Sequence, residues 1–263
     1  MSNLTGRLEH HYGPRVHILS DPWALSVVAR AGHPDTDTPD LLRLVQTAFR
    51  HLLLGMSERL PQASVDWPTR MAVSEPRARY QGPVLDPDHK VVLVDVARAG
   101  TLPAHGLQAA LFDVWNPAAV RVDHLYMNRS VDPETGRVNG VNFHGSKIGG
   151  PVEGATVIIP DPMGATGGTM VKVLDHYRSQ VPGKPLQVIT AHLIVTPEFI
   201  RRVTDADPDV HIYALRLDRG LSSDAVLATP PGLRWSEEVG LDAHDYIVPG
   251  AGGLGELMNN AFV

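Results

Sequence analysis

The sequence predicts an α/β fold, a central and mostly parallel sheet with helices on both faces. Two observations predict it. Short apolar, β-branched runs alternate along the chain with segments whose apolar residues recur at helical spacing. One stretch, Thr156 to Tyr177, holds the whole unit: Thr156-Val157-Ile158-Ile159 bounded by Pro160, a loop of small polar residues, then Met170, Val173, Leu174 and Tyr177 at helical spacing.

The other elements follow in order. Residues 1–15 read as a polar arm, Val16-His17-Ile18-Leu19 as a short strand, and Asp21 to Ala31 as a helix. Thr38 as N-cap and Pro39 at the first helical position start a second helix. Its apolar face (Leu41, Leu42, Val45, Phe49, Leu52, Leu53, Met56) packs on a sheet or on a second subunit. Pro61 to Pro87 reads as a Pro- and Arg-rich linker. Val91 to Val96 is a buried strand ending in Ala97-Arg98-Ala99-Gly100, with a helix over Leu102 to Phe112. Val120 to Met127 is a strand, and residues 128–154 are polar, Gly-rich and long for a connection, which predicts a hairpin flap. Beyond the Thr156 unit come a strand at Gln187 to Val195, a helix at Pro197 to Thr204 and a strand at Val210 to Leu215. After Leu217 the chain is irregular and reaches Tyr246-Ile247-Val248-Pro249-Gly250-Ala251-Gly252-Gly253-Leu254-Gly255-Glu256.

Composition narrows the function classes. The chain has 263 residues, 43% hydrophobic and 20% charged, with a net charge of −6 and no basic run, so nucleic acid is not an expected partner. No apolar stretch is long enough to span a membrane and no signal-peptide core opens the chain, so the expected location is the cytoplasm. Without cysteine, disulfides and thiol catalysis are excluded. The thirteen histidines show no metal-binding spacing, and the adjacent His10 and His11 cannot share a face.

The loop Asp161-Pro162-Met163-Gly164-Ala165-Thr166-Gly167-Gly168-Thr169 lies at the carboxyl end of a strand, where open α/β sheets bind ligands. Its glycines permit close backbone approach, and the N–H groups and dipole of the following helix favour a phosphate. Thr166 and Thr169 add hydroxyl donors, and Asp161 can accept hydrogen bonds from sugar hydroxyls. The plainer reading is a tight Gly167-Gly168 turn with Thr169 as N-cap. Likewise Arg98-Ala99-Gly100 is either a turn with a surface arginine or a guanidinium clamp for a diphosphate.

A strand followed by DPMxATGG, a Ser or Thr and a helix resembles the phosphoribosyl-pyrophosphate (PRPP) loop of type I phosphoribosyltransferases. Its DPM entry is similar to the uracil phosphoribosyltransferase branch. Ala97-Arg98-Ala99-Gly100 resembles that family's pyrophosphate loop, usually LRAG, and Tyr246 to Glu256 resembles its base-reading segment YIVPGLGDAGDR. The resemblance implies a type I phosphoribosyltransferase fold in a single domain over 1–263, with a hood from about 1–35 and 217–263. It implies a transferase that joins uracil or a related base to PRPP, giving UMP and diphosphate in pyrimidine salvage. Mg²⁺ would arrive with PRPP rather than on protein ligands, and the chain would form a homodimer or higher homo-oligomer. The carried-over roles are catalytic for Asp161 and Arg98, and PRPP-binding for Arg98, Ala99, Gly100, Arg129 and Asp161 through Thr169. Base recognition falls to Tyr246, Ile247, Gly252, Gly253 and Leu254.

This sequence departs from the family in functional places. Gly253 stands for an Asp that holds substrate, Leu254 for a small residue, which would narrow the base pocket, and Leu257 for an Arg. Tyr126 is followed by Met127-Asn128 rather than Arg, the nearest Arg being Arg129, and Gly164 replaces the Leu of DPML. The flap adds Asn139, Asn142, His144 and Lys147, and an insertion at about 228–241 carries Trp235. Alternatives to an active transferase are a catalytically impaired homologue that senses PRPP or a nucleotide, and an assembly subunit. His144 and Lys147 are either solvated loop residues or replacements for the missing flap arginine. In the second case Lys147→Ala lowers turnover tenfold or more in a steady-state assay, and an unchanged rate retires that role.

Overall fold

A computed structural model of the protein describes residues 6–131 and 138–261. In order the elements are β1 (Val16–Ile18), α1 (Pro22–Ala31), α2 (Thr38–Ser57), β2 (Gln62–Pro68), β3 (Arg79–Leu85), β4 (Val91–Ala97), α3 (Thr101–Phe112), β5 (Val120–Val131), β6 (Val138–Lys147), β7 (Thr156–Pro160), β8 (Met163–Gly164), α4 (Gly168–Gln180), β9 (Gln187–Val195), α5 (Pro197–Ala206), β10 (His211–Leu217), α6 (Asp224–Leu227) and α7 (Leu254–Asn259). One eight-stranded sheet has the order β1-β10-β9-β7-β4-β5-β6, with β8 beside β9. All its pairs are parallel except β5 with β6.

Strand alternation divides the core in two. Val91, Leu93, Ile158, Ile189 and Tyr213 join α1, α2, α3 and α7 on one face. Val92, Val94, Val157, Ile159 and Ile212 join α4 and α5 on the other. Both sheet faces are covered, which is why these strands are apolar throughout. Chain order then fixes where a ligand can sit. β4 crosses by α3 to its neighbour β5 on one side, whereas β7 crosses by α4 to β9 on the other. The crossovers diverge between β4 and β7, and a crevice opens above their carboxyl ends.

Several local expectations change. Asp37, not Thr38, caps α2, its carboxylate accepting from the Asp40 N–H at 2.9 Å, because Thr38 is already helical. The apolar face of α2, from which the sequence argues for a dimer, is taken up inside the chain: Leu41, Val45, Ala48, Phe49, Leu52 and Met56 are all buried. The expected linker at 61–87 is an antiparallel ribbon, β2 with β3, in register from Gln62↔Leu85 to Pro68↔Arg79. Its side chains are mostly exposed and its strands contain Pro68 and Pro83, so it carries little of the apolar alternation that marks a strand.

The polar arm is also packed from residue 6 onward. Tyr12 is buried, donates its hydroxyl hydrogen bond to Glu238 and meets Trp235 edge-on at 5.0 Å. Trp235 in turn donates from Nε1 to the Pro197 carbonyl at 3.0 Å. The insertion thus cements the arm to α5. No described helix is long and apolar enough to cross a membrane. Trp235→Ala is expected to cost about 2 kcal/mol, less than a fully buried Trp. In hydrogen exchange the amide of His11, bonded to the Pro231 carbonyl at 2.8 Å, should lose protection first.

Candidate active site

The two loops over the crevice begin at helices that no side chain caps. Among the five helices of ten residues or more, α1, α2 and α5 receive side-chain caps from Asp21, Asp37 and Thr196, whereas α3 and α4 have Gly100 and Gly167 at the N-cap and no side-chain bond. At α4 the Thr169 and Met170 N–H groups are left as donors for an anion, Gly168 N–H lying 3.5 Å from Thr166 Oγ1; at α3 the Gly100 and Thr101 N–H groups bond to the Val96 and Arg98 carbonyls and Pro103 has none, so that end offers the Leu102 N–H and its helix dipole. Thr169 lies inside the first turn of α4, so it is not the N-cap that the plainer reading required.

The phosphate loop is stapled from below. Gly167 has φ +77°, a conformation glycine adopts at little cost. Thr196 donates to the Ala165 carbonyl at 2.7 Å while its Oγ1 caps α5 by accepting from the Phe199 N–H at 3.0 Å. His192 is completely buried beneath Asp161, and burial pushes its pKa down to about 3. Its Nδ1 lies 2.6 Å from the Asp161 carbonyl, which can only accept, so the neutral ring carries its proton on Nδ1. Asp161, Ala165, Thr166, Gly167, Gly168 and Thr169 line one concavity. Arg202 of α5 reaches its rim, with Nη1 3.5 Å from the Thr166 carbonyl.

Gly164, where the motif it resembles has Leu, is packed against Phe199. A Cβ at Gly164 would stand 2.9 Å from Val195 Cγ1 and 3.0 Å from the Phe199 ring. The ring fills the space a longer side chain would need.

The second loop, Ala97 to Gly100, contains a cis Ala97–Arg98 peptide. Gly100 is sterically obligatory: a Cβ would lie 2.8 Å from Val96 N and 3.0 Å from the Pro160 carbonyl at the end of β7. The two loops can be neighbours only because this side chain is absent. Arg98 is exposed and makes no ion pair among the described residues, so its guanidinium is available to a diphosphate. Under the loop, buried Asp95 accepts from Thr101 Oγ1 at 2.9 Å and meets His124 Nδ1 at 2.9 Å. That carboxylate ties β4, β5 and the first residue of α3 together.

The carboxy-terminal segment closes on the same crevice. Arg216 binds Asp218 with two bonds of 2.7 Å, and Asp218 accepts from the Gly250 N–H at 2.8 Å. This pair pins the glycine turn to the end of β10. Gly255 of α7 then meets the Ala97 to Gly100 loop, its Cβ position 3.2 Å from Ala99 Cβ. Leu254 does not narrow a base pocket: its side chain is buried in the core cluster shared with α1 and α2. Ile247 is buried in the same cluster and bridges to Leu241, while Tyr246 is exposed. Gly252 is exposed with φ +71°. At Gly253 a Cβ would collide with the Glu256 carboxylate, so a carboxylate occupies the place of a side chain at 253.

In the flap, β5 and β6 pair from His124↔Lys147 outward, with a bulge at Tyr126/Met127. Lys147 is exposed at the base of the ribbon, directly across from His124, and His144 is held by Asn128 Oδ1 at 2.7 Å. Arg129, the expected flap cation, and Asn139 have side chains outside the described residues.

Residues 18–233 match the family model described as uracil phosphoribosyltransferase. A uracil phosphoribosyltransferase of Myxococcus xanthus is 31% identical over 222 residues, 82% of this chain and 89% of that protein. Another, from Variovorax paradoxus, is 27% identical over 241 residues, 92% of this chain and 96% of that one. Among solved structures, a protein from Aquifex aeolicus shares the fold with a TM-score of 0.69 at 21% identity, covering 92% of this chain and 97% of its own.

The contact of Gly164 with Phe199 is testable by a double-mutant cycle. Gly164→Leu should overpack the loop by about 1–3 kcal/mol, and Phe199→Ala should cost about 3–5 kcal/mol. In urea denaturation the double variant should cost less than the sum, and additivity would separate the two positions.

Proposed function

Because the chain belongs to the uracil phosphoribosyltransferase family, we propose that it joins uracil to PRPP to give UMP and diphosphate, a step of pyrimidine salvage in the cytoplasm. Phosphoribosyl transfer itself follows from family membership. The observation that carries the finer reading is the pair of uncapped helix ends, α3 and α4, over one crevice with the glycine-rich carboxy-terminal segment beside it. PRPP offers two anionic groups joined by a ribose, and this site offers two anion-binding ends joined by Asp161.

In this reading the first turn of α4, with Thr166 and Thr169, holds the 5′-phosphate, and Arg202 adds charge at the rim. Asp161 accepts hydrogen bonds from the ribose hydroxyls, and His192 fixes the backbone from which it projects. Arg98 and the first turn of α3 hold the diphosphate. The base nitrogen bonds to C1′ as the bond from C1′ to the diphosphate oxygen breaks, and its proton passes to the departing diphosphate. The protein contributes positioning and charge stabilisation, the main sources of such catalysis. The backbone around Ile247 and Gly252 to Leu254 reads the base, which offers carbonyl acceptors and N–H donors in one plane.

The donor set fits Mg²⁺ carried by PRPP. Mg²⁺ favours substrate phosphates, water and one or two carboxylates, and Asp161 lies between the two anion-binding ends. When bound, the ion would offset charge on the departing diphosphate. Glu256 keeps the second acidic position of the family segment and places its carboxylate where a side chain at 253 would stand. A homodimer is part of the same proposal. It now rests on the β2–β3 ribbon, where Trp67, Met71, Val73 and Tyr80 are exposed on a two-stranded element that has little stability alone. A second copy would cover them, and sedimentation of the full chain tests this.

Titration calorimetry with PRPP and Mg²⁺, then uracil and other bases, with diphosphate release recorded, tests the activity. Release with uracil is expected. Release only with another base changes the substrate, and binding without release favours a sensor of PRPP. Glu256→Gln should raise the KM of PRPP or uracil about tenfold to a hundredfold, the worth of one charged hydrogen bond, and an unchanged KM removes Glu256 from the site.

A further inference from the structure

A cavity lies at the opposite end of the sheet from the crevice. It has a volume of about 740 Å³ and opens beneath α4, at the amino-terminal ends of β7, β9 and β10. Its wall is apolar, formed by Val152, Leu174, Leu186 and Val188. Cations ring its mouth: Arg15, Arg59, Arg178 and Lys184 line it against the carboxylates Asp207 and Asp209. Arg15 is paired with Asp209 at 2.9 Å and Arg178 with Asp207 at 2.7 Å. Arg59 and Lys184 make no ion pair among the described residues, although the chain as a whole is acidic at −6.

The neighbouring imidazoles respond to the same field. Arg15 donates to His211 Nε2 at 3.2 Å, so the remaining proton of His211 is on Nδ1 and faces His17 Nε2 at 3.3 Å. Burial first, and then nearby cations including Arg59, push both rings down to about 4. The histidines are therefore neutral near pH 7, and Arg59 and Lys184 remain as the cations of the mouth without an ion pair among the described residues, the Glu153 carboxylate accepting from the Lys184 backbone N–H at 2.7 Å.

We propose that this cavity binds an organic anion with an apolar body and a terminal phosphate or carboxylate. The volume is that of a small-molecule site, and a guanidinium beside an ammonium suits either anionic head. The site is separate from the crevice, yet an occupant touches the unit that carries the phosphate loop. Val157 and Ile159 of β7 and Leu174 of α4 line the cavity, and β7 and α4 run directly into and out of the loop at Asp161 to Gly167.

Titration calorimetry on the full chain tests this with phenyl phosphate, octanoate and inorganic phosphate as probes. Either organic probe is expected to bind with one-to-one stoichiometry, and which one binds tells phosphate from carboxylate. Arg59→Ala/Lys184→Ala should weaken that binding tenfold or more with an unchanged melting temperature. Thr166→Ala/Thr169→Ala, in the phosphate loop, should leave it intact. Four results would overturn the proposal: no binding of either organic probe, indifference to the Arg59/Lys184 change, loss on the Thr166/Thr169 change, or equal binding of inorganic phosphate. None of these depends on whether the chain turns over uracil.

Discussion

Two helix starts with glycine at the N-cap, set over adjacent parallel strands, are the constraint on which the site depends. A helix start without a cap is a local defect, because up to four donors lack partners there. This chain tolerates it at α3 and α4 and avoids it at α1, α2 and α5. The supporting residues keep those ends in place. Gly100 lets one loop touch the end of β7, Asp95 ties the start of α3 to two strands, and Thr196 and His192 hold the other loop from beneath. Removing any of these changes where the donors point without touching a substrate.

Much of this was legible in the sequence because it was local. Each sheet strand that forms a parallel pair, β5 and β8 apart, was a short and largely apolar run, and the loop at Asp161 to Thr169 announced itself by its glycines. What stayed hidden was non-local or counter to pattern. The β2–β3 ribbon lacks an apolar face, so alternation gave no signal. The role of Trp235 requires residues 12, 197 and 235 to meet. Leu254 looked like a pocket residue because the segment was read as a coil, whereas α7 turns that side chain into the core. Two polar residues did leave a trace. Asp95 and His192 interrupt otherwise apolar strands, and a buried polar group implies a specific partner.

The departures from the family string also take on physical meaning. Gly164 and Phe199 are one packing decision written at two places, since a ring fills what a longer side chain would occupy. At Gly253 the first acidic residue of that string is lost, while Glu256, which keeps its second acidic position, places its carboxylate where a side chain at 253 would stand. At the far end of the sheet, the same crossovers that form the crevice leave the amino-terminal strand ends under α4 and create the cavity with its cationic mouth.

The pairing of β1 with β10 bears on how the chain acquires its shape. Val16 lies beside Ile212 and Ile18 beside Ala214, so the edge strand meets its neighbour across nearly the whole sequence. During synthesis the consecutive units from β4 to β9 can associate as they emerge, but β1 has no strand to join until residues 211–217 have been made. Closing so long a loop is entropically costly and comes late. Until then Ile212 and Ala214 form an open sheet edge, and the nascent chain is exposed there to pairing with the wrong partner.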